Sequence, residues 1–523
     1  MKKRLSFLIF ACIVLLFTSG VSADTVSAAK KSKRVDATSY VDTNFTLIKN
    51  YMGIGVQWDP HEWYDLSKED WKTLTSRVDY LKPAFLRVMF RAYWYTEGYD
   101  KNGRPIYNWN TKRMQKLYKL LDYAKKKDIP VLLGQWDDPA ANSDRDSSLD
   151  HLRQYNIQED DPRWAKLIGD SLNHLINKKG YTNIKYFNYV NEPNGDWSFS
   201  ADYDKWSKGI GYLHDELEKQ GLSRKVKISG PDNSGQNEWI TKSVNQLSDK
   251  IGIYDTHWYA NADQIQNGEI EKVMAPFRSY ITANDPNGKN KQFFFGEAGV
   301  FTGRTNGDQQ PNVKEYWYGV SMADFTVQSM RAGMSGITGW DLEDSMHINN
   351  GFEGVSGDNY PTPPGPGTLK VWGMWNALGA EMGNPDDEKL RPWFYTWSLL
   401  SRNFPKGSKI VRTTETGLEG VRTTAAIIPH GKKSDMSLVV VNNSDKPRTI
   451  KVMVPTAASS ARFSQYNYFE NDRPTNSKGF PVPEKTNLKA NLKKGIDVKL
   501  PSKGMVLLTT LDGGKAIHLK GNR

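Results

Sequence analysis

Two glutamates close hydrophobic runs that are composed like buried strands. One run ends Tyr189, Val190, Asn191, Glu192, Pro193, and the other runs Phe293 to Phe295 before Gly296 and Glu297. A carboxylic acid and a carboxylate flanking a glycosidic bond can cut it, one protonating the leaving oxygen and the other attacking the anomeric carbon. A single glutamate after a strand is more often a helix cap or an ion-pair partner. A pair on two strands is a different matter when other reactive or sugar-binding side chains end neighbouring strands. Arg87, His257, Tyr259 and Trp340 do so, and Trp58, Trp136 and Trp197 are aromatic faces near strand ends on which a sugar could stack.

The elements that must position these residues can be read from hydrophobic periodicity. Short apolar runs at 52–58, 84–90, 130–136, 185–191, 225–231, 252–258, 292–297 and 336–341 predict strands. Helical patterns separate them, at 111–127, 162–179, 202–219, 237–247, 264–282 and 312–332, and a closing helix is predicted at 389–404. Ser67 and Asp70 form a capping box that opens a helix reaching Leu81. Alternation of strand and helix eight times predicts a TIM (β/α)8 barrel over 46–404 rather than an open sheet, which would carry a Gly-rich fingerprint after its first strand. In such a barrel both glutamates, on the fourth and seventh strands, lie at the C-terminal mouth. Beyond Phe404 the texture changes to short alternating runs at 409–412, 419–427, 436–442, 449–454, 462–469 and 505–510. These predict an antiparallel β-sandwich over 405–523, to which 44–49 could add a strand.

With these residues in place, the chain resembles the retaining (β/α)8 glycoside hydrolases of clan A. Asn191, Glu192 and Pro193 with Glu297 carry the resemblance, and His257 and Tyr259 look like the His-x-Tyr motif of family 5. The resemblance implies Glu192 as acid/base, Glu297 as nucleophile and Asn191 as a ligand of the sugar 2-hydroxyl. It implies that Tyr259 bonds Glu297, that His257 lines the subsite, that Arg87 keeps Glu297 ionised and that Trp340 floors the cleaved sugar. The third strand ends Gly134, Gln135, Trp136, Asp137, Asp138, without the His of many family 5 members, so families 39 and 30 stay open. A transglycosylase would use the same intermediate. A non-catalytic carbohydrate-binding protein on the same scaffold would not need both glutamates.

Composition narrows the rest. The 523 residues include 70 Lys and Arg against 59 Asp and Glu, a net charge of +11 with the basic residues dispersed. No basic arm interleaved with aromatics suggests a nucleic-acid partner. The excess reads first as a solvated surface, with association with an anionic cell wall or an acidic polysaccharide as the alternative. Residues 1–23 read as a signal peptide, basic at Lys2, Lys3 and Arg4, apolar from Leu5 to Phe17, and cleavable after Ala23. The sole cysteine, Cys12, lies inside it. A flexible basic leader is expected over 24–45, and the mature chain is expected to be a secreted monomer without a membrane span. No His-Glu-x-x-His, P-loop or Gly-x-Ser-x-Gly motif is present, and no cofactor or metal is expected. Asp341, Glu343 and Asp344 read as a solvated loop rather than a calcium site.

Overall fold

The computed structural model describes residues 35–523 apart from 63, 137–154, 156, 196–200, 306–307, 346–368, 431–432, 458–459, 516, 518 and 520–523. Residues 1–23, read as a signal peptide, residues 24–34 of the expected leader, Asp137, Asp138, Trp197 and the Gly/Pro-rich stretch 351–367 lie outside the described residues.

The first strand, β1 (Ala37–Ile48), belongs to the β domain taken up below. The barrel opens with β2 (Gly53–Gln57) and β3 (Leu86–Phe90), and a small hairpin of β4 (Thr96–Tyr99) and β5 (Pro105–Tyr107) rises from the loop after β3. It continues with β6 (Val131–Gln135), β7 (Ile184–Asn188), β8 (Lys227–Ser234), β9 (Ile251–Ala260), β10 (Phe293–Val300) and β11 (Gly336–Gly339). The pairing order β10-β11-β2-β3-β6-β7-β8-β9 closes on itself. Around it lie α1 (Lys68–Leu81), α2 (Lys112–Lys126), α3 (Pro162–Leu172), α4 (Tyr203–Lys219), α5 (Glu238–Leu247), the short α6 (Ala262–Gln266), α7 (Glu269–Asn284), α8 (Tyr316–Arg331) and α9 (Pro392–Asn403). The expected barrel is thus the observed one. The Ser67–Asp70 capping box forms with both of its hydrogen bonds. The β4–β5 hairpin was not expected: its turn is closed by Asp100, whose carboxylate accepts from the Asn102 and Arg104 amides.

Strand alternation decides which side chains reach the barrel interior. Met52, Phe85, Leu132, Ile253 and Phe294 fill its floor. On β2 and just beyond it, Ile54, Val56 and Trp58 point the other way, into the layer between strands and helices. Trp58 is 2% exposed and packs on Trp71 of α1 and Tyr123 of α2, at ring separations of 5.7 and 5.6 Å. The expectation that Trp58 binds substrate is therefore corrected: it is two residues along from Val56 and shares its outward face.

The C-terminal strands are β12 (Lys409–Thr413), β13 (Val421–His430), β14 (Lys433–Asn442), β15 (Arg448–Met453), β16 (Ala461–Tyr468), β17 (Lys485–Ala490), β18 (Ile496–Leu500) and β19 (Gly504–Thr509). With β1 they pair in the order β17-β16-β19-β14-β13-β12-β1-β15-β18. All these pairs are antiparallel except β1 with β15. Residues 37–45, expected to belong to a flexible leader, are instead part of β1. Val41 of β1 packs into the β-domain core with Val411, Leu438, Val440, Ile450 and Val452, so this segment has apolar surface to bury.

The β domain is fastened to α8, which is buried on every side from Tyr318 to Arg331. A helix covered all round normally carries few polar residues, and here Asp324, Thr326, Gln328, Ser329 and Arg331 are all hydrogen-bonded. Asp324 receives two hydrogen bonds from Arg422 of β13, at 2.9 and 2.8 Å, and one from Asn443 at 3.1 Å. Removing one partner of such a buried pair costs about 3–5 kcal/mol, since the other charge is left without compensation. Tyr468 donates to the Tyr316 carbonyl at 2.9 Å and lies against Gly319, where a Cβ would come within 2.5 Å of its hydroxyl.

The placement of Trp58 is open to direct test. Trp58→Ala is expected to lower unfolding free energy in urea by about 3–5 kcal/mol. A loss below about 1 kcal/mol would mean that the ring is not a core residue.

Candidate active site

Above the apolar floor the interior becomes polar. Arg87, two residues beyond Phe85 on β3, is fully buried. Its guanidinium donates to Gln57 Oε1 at 2.9 Å, Glu297 Oε1 at 2.5 Å, Asn191 Oδ1 at 2.8 Å and Asp232 Oδ2 at 2.9 Å. On β9 the inward row above Ile253 is Asp255, His257 and Tyr259. The Tyr259 hydroxyl donates to Glu297 Oε2 at 2.6 Å, so both oxygens of this carboxylate are held. His257 places Nδ1 2.9 Å from Glu192 Oε1 and 3.6 Å from Glu297 Oε2, with Nε2 2.9 Å from Asp232 Oδ1.

Regular alternation would turn Glu297 away from this group. Phe294 faces in and Phe295 packs outward on Phe325 of α8. The pairing of β10 with β9 then jumps from Phe295–Thr256 to Glu297–His257, which makes Gly296 the extra residue of a β-bulge. The bulge re-aims Glu297 into the mouth. A Cβ on Gly296 would press on His257 Nε2 at 3.0 Å and Asp232 Oδ1 at 3.1 Å, so the bulge needs glycine. A second shift, between Pro231 and Asn233 in the β8–β9 pairing, does the same for Asp232. Its φ is 57°, and its amide donates to Asp255 Oδ1 at 2.8 Å. Glu192 also sits in the left-handed region, at φ 46°, a conformation that costs a non-glycine residue about 1–3 kcal/mol.

An aromatic wall closes one side. Trp340 meets Trp136 edge to face at 5.7 Å, and Tyr259 meets Trp372 at 5.3 Å. Trp372 was not anticipated from the sequence, as it follows the Gly/Pro-rich stretch without a strand of its own. Asp344 holds its loop: one carboxylate oxygen accepts the Trp372 and Gly373 amides at 3.0 and 2.7 Å, while Arg391 binds both oxygens at 2.8 and 2.5 Å. The solvated loop expected at Asp341, Glu343 and Asp344 is therefore corrected: all three are buried, with Glu343 3.2 Å from His61.

Of the expected site residues, Asn191, Glu192, Glu297, Arg87, His257, Tyr259, Trp340 and Trp136 gather at the mouth, and Trp58 does not. The sequence reading missed Gln57, Asp232, Asp255 and Trp372. Gln57 could have been found by parity, since it is the inward neighbour of the outward Val56 and Trp58.

Electrostatics follow from burial and from two cations. Burial opposes ionisation of Asp232, but Arg87 and His257 outweigh it and hold the carboxyl near about 2. Burial and the charge of Asp232 push Asp255 up to about 7. Burial alone would lower His257, yet Asp232 and Glu297 raise it well above the ordinary imidazole value. Glu297 is raised, because burial outweighs the opposing pull of His257 and Arg87, and Glu192 adds to the rise. Arg87 thus favours the charged form of Glu297 without fully offsetting its burial. Tyr259 is pushed up by burial and by the glutamates, so it remains a hydroxyl donor. Donor atoms of Glu192, His257 and Glu297 lie within 4.8 Å of one another. As a metal site the set is poor: Glu297 is already neutralised by Arg87, and both His257 nitrogens face carboxylates.

Among the described residues no helix is long and apolar enough to cross a membrane. No protein-family model matches the chain. No curated protein matches it by sequence. Solved structures do. A GH30 endoxylanase from Clostridium papyrosolvens C71 is 14% identical, with a TM-score of 0.58 over 90% of this chain and 99% of that one. A GH39 enzyme from Xanthomonas axonopodis pv. citri is 16% identical, with a TM-score of 0.56 over 92% and 99%. AbfB, a family 51 alpha-L-arabinofuranosidase from Bifidobacterium longum, is 12% identical, with a TM-score of 0.56 over 91% and 99%. The chain shares the barrel-plus-β-domain fold of these glycoside hydrolases.

Proposed function

We propose that the protein is a retaining glycosidase that hydrolyses β-glycosidic bonds of a polysaccharide or oligosaccharide by double displacement. The observation that carries this reading is the pair of carboxyls from the fourth and seventh barrel strands, with oxygens within 4.8 Å. Retaining pairs lie about 5–5.5 Å apart, whereas inverting pairs stand about 6.5–9.5 Å apart to admit a water.

In the first step Glu297 bonds to the anomeric carbon while Glu192 gives its proton to the leaving oxygen, and the glycosidic bond breaks. Glu297 is suited to attack because Arg87 and Tyr259 fix both of its oxygens. In the second step Glu192 takes a proton from water, the oxygen of that water bonds to the anomeric carbon, and Glu297 leaves as carboxylate. Asn191 is oriented by Arg87 at its Oδ1, which defines Nδ2 as the end that can donate to the sugar 2-hydroxyl. Trp340 and Trp136 supply the aromatic surface for the sugar face. The solved relatives named as a xylanase and an arabinofuranosidase make xylan, xylosides and arabinofuranosides the first members of a substrate panel.

NMR of the first-formed product is expected to show net retention of anomeric configuration; an inverted product would exclude Glu297 as nucleophile. Glu297→Ala should form no glycosyl-enzyme on any substrate. Glu192→Ala should still glycosylate on an aryl glycoside with an activated leaving group, and azide should rescue its slow second step, yielding a β-glycosyl azide from a β-glycoside. The nucleophile must be ionised, and burial raises its pKa. The acid limb of kcat/KM is therefore expected above the ordinary glutamate value of about 4.3, activity falling as pH drops through that raised value. A limb below about 4 would contradict the assigned environment.

We also infer, from the basic and apolar N-terminus, that the protein is exported. The exported form should begin near Asp24 on N-terminal sequencing, and secreted material beginning at Met1 would refute cleavage there.

A further inference from the structure

One carboxylate at the mouth has no part in the two displacement steps. Asp232 is seated on both cations of the site, with Oδ2 on Arg87 and Oδ1 on His257, each at 2.9 Å. Its backbone is held in place by Asp255, which in turn accepts from Asn188 at 2.8 Å and Ser229 at 2.7 Å.

The consequence concerns where protons sit. His257 faces a carboxyl on each ring nitrogen, Glu192 at Nδ1 and Asp232 at Nε2. A neutral imidazole carries one proton. With that proton pointed at Asp232, Nδ1 would be an acceptor, and the acid proton of Glu192 would be drawn onto it and away from the substrate. An imidazolium donates from both nitrogens. Nδ1–H then occupies Glu192 Oε1, so the proton that Glu192 uses as an acid must sit on Oε2. We propose that Asp232 is a positioning residue of the proposed glycosidase reaction, holding His257 as an imidazolium so that the acid proton of Glu192 stays on its own carboxyl and is not drawn onto the ring.

The charge count supports this arrangement. Before reaction, Arg87 and His257 are balanced by Asp232 and Glu297, with Glu192 protonated. In the glycosyl-enzyme, Glu297 is an ester and Glu192 has given up its proton, so the same two cations are balanced by Asp232 and Glu192. One negative charge has moved between two carboxyls that both lie beside Nδ1, at 2.9 and 3.6 Å. The groups facing His257 are Asp232 from β8, Glu192 beyond β7, Glu297 from β10, and Asp255 and Tyr259 from its own strand, with Arg87 of β3 reached through Asp232. Burial and the charge of Asp232 push Asp255 up to about 7, so at neutral pH it adds only a partial negative charge beside Asp232 and the same partial charge before and after the first step.

The inference rests on the reading of the site as a glycosidase, and its test separates the two. In wild-type protein labelled with nitrogen-15 histidine, both His257 nitrogens should be protonated at pH 7; a neutral His257 would overturn the proposal without recourse to any variant. In Asp232→Asn one of those protons should be lost at the same pH, and its retention would also overturn the proposal. The kinetic signature is a dependence on the leaving group. For Asp232→Asn, the loss in kcat/KM should be at least tenfold greater on an alkyl or sugar leaving group than on a dinitrophenyl glycoside, which needs no acid. Equal losses on both substrates would indicate a general structural role and overturn the proposal. Because Asp232 acts through His257, the double variant Asp232→Asn/His257→Gln should be no slower than His257→Gln alone; additive losses would count against it. A wild-type chain that carries the imidazolium but turns over no glycoside would overturn the proposed function instead.

Discussion

A guanidinium with no exposed surface must be surrounded by acceptors, and this requirement organises the centre of the molecule. Arg87 binds Gln57, Asn191, Asp232 and Glu297, which come from four different segments of the barrel mouth. Two of those partners bear negative charge, so the cation is neutralised where water cannot reach it. The geometry of the Glu297 carboxylate follows. With one oxygen on Arg87 and the other on Tyr259, Glu297 has little freedom to rotate. Asn191 is fixed by the same cation, which links the group expected to meet the sugar hydroxyl to the group expected to attack the neighbouring carbon.

The strands that bring these side chains together were legible because buried parallel strands are near-continuous apolar runs. The runs around Val131 to Leu133 and Phe293 to Phe295 admit hardly any other reading. Edge strands are less apolar, and two of them were missed. β17 carries Lys485 and Lys489 with most of its residues exposed, and β18 alternates Asp497 and Lys499 with apolar residues. They stand at the two ends of the sheet order, where charge is useful against edge-to-edge pairing. β1 was only partly read, because its polar face hides the few positions, Val41 among them, that enter the core.

Within the site, legibility ended where backbone irregularity began. Glu297 and Glu192 stood out by residue type at strand ends, and His257 and Tyr259 by their spacing. The direction in which Glu297 points depends on one extra residue at Gly296, and that of Asp232 on another, and neither bulge has a periodic signature. Trp58 shows the opposite error. Its type suggested a sugar platform, whereas simple alternation from Val56 puts it among the helices. Asp341, Glu343 and Asp344 look solvated in sequence because acidic residues are seldom fully buried. Here Arg391 and two backbone amides make burial of Asp344 tolerable, and that burial fixes Trp372 against Tyr259.

The β domain belongs in the same physical account. Helix α8 lies between the barrel and the β sheet and is covered on both sides, so its polar groups need partners from both. Asp324 is matched by Arg422, and Arg331 donates to Thr413 and Thr423 while pairing with Glu271. On the barrel side, Phe325 of this helix supports Phe295, the outward residue next to the bulge that aims Glu297. The β domain therefore covers a helix whose inner face backs the strand bearing Glu297. This is a structural reason for the two units to be joined, and it requires no carbohydrate-binding role for the β sheet.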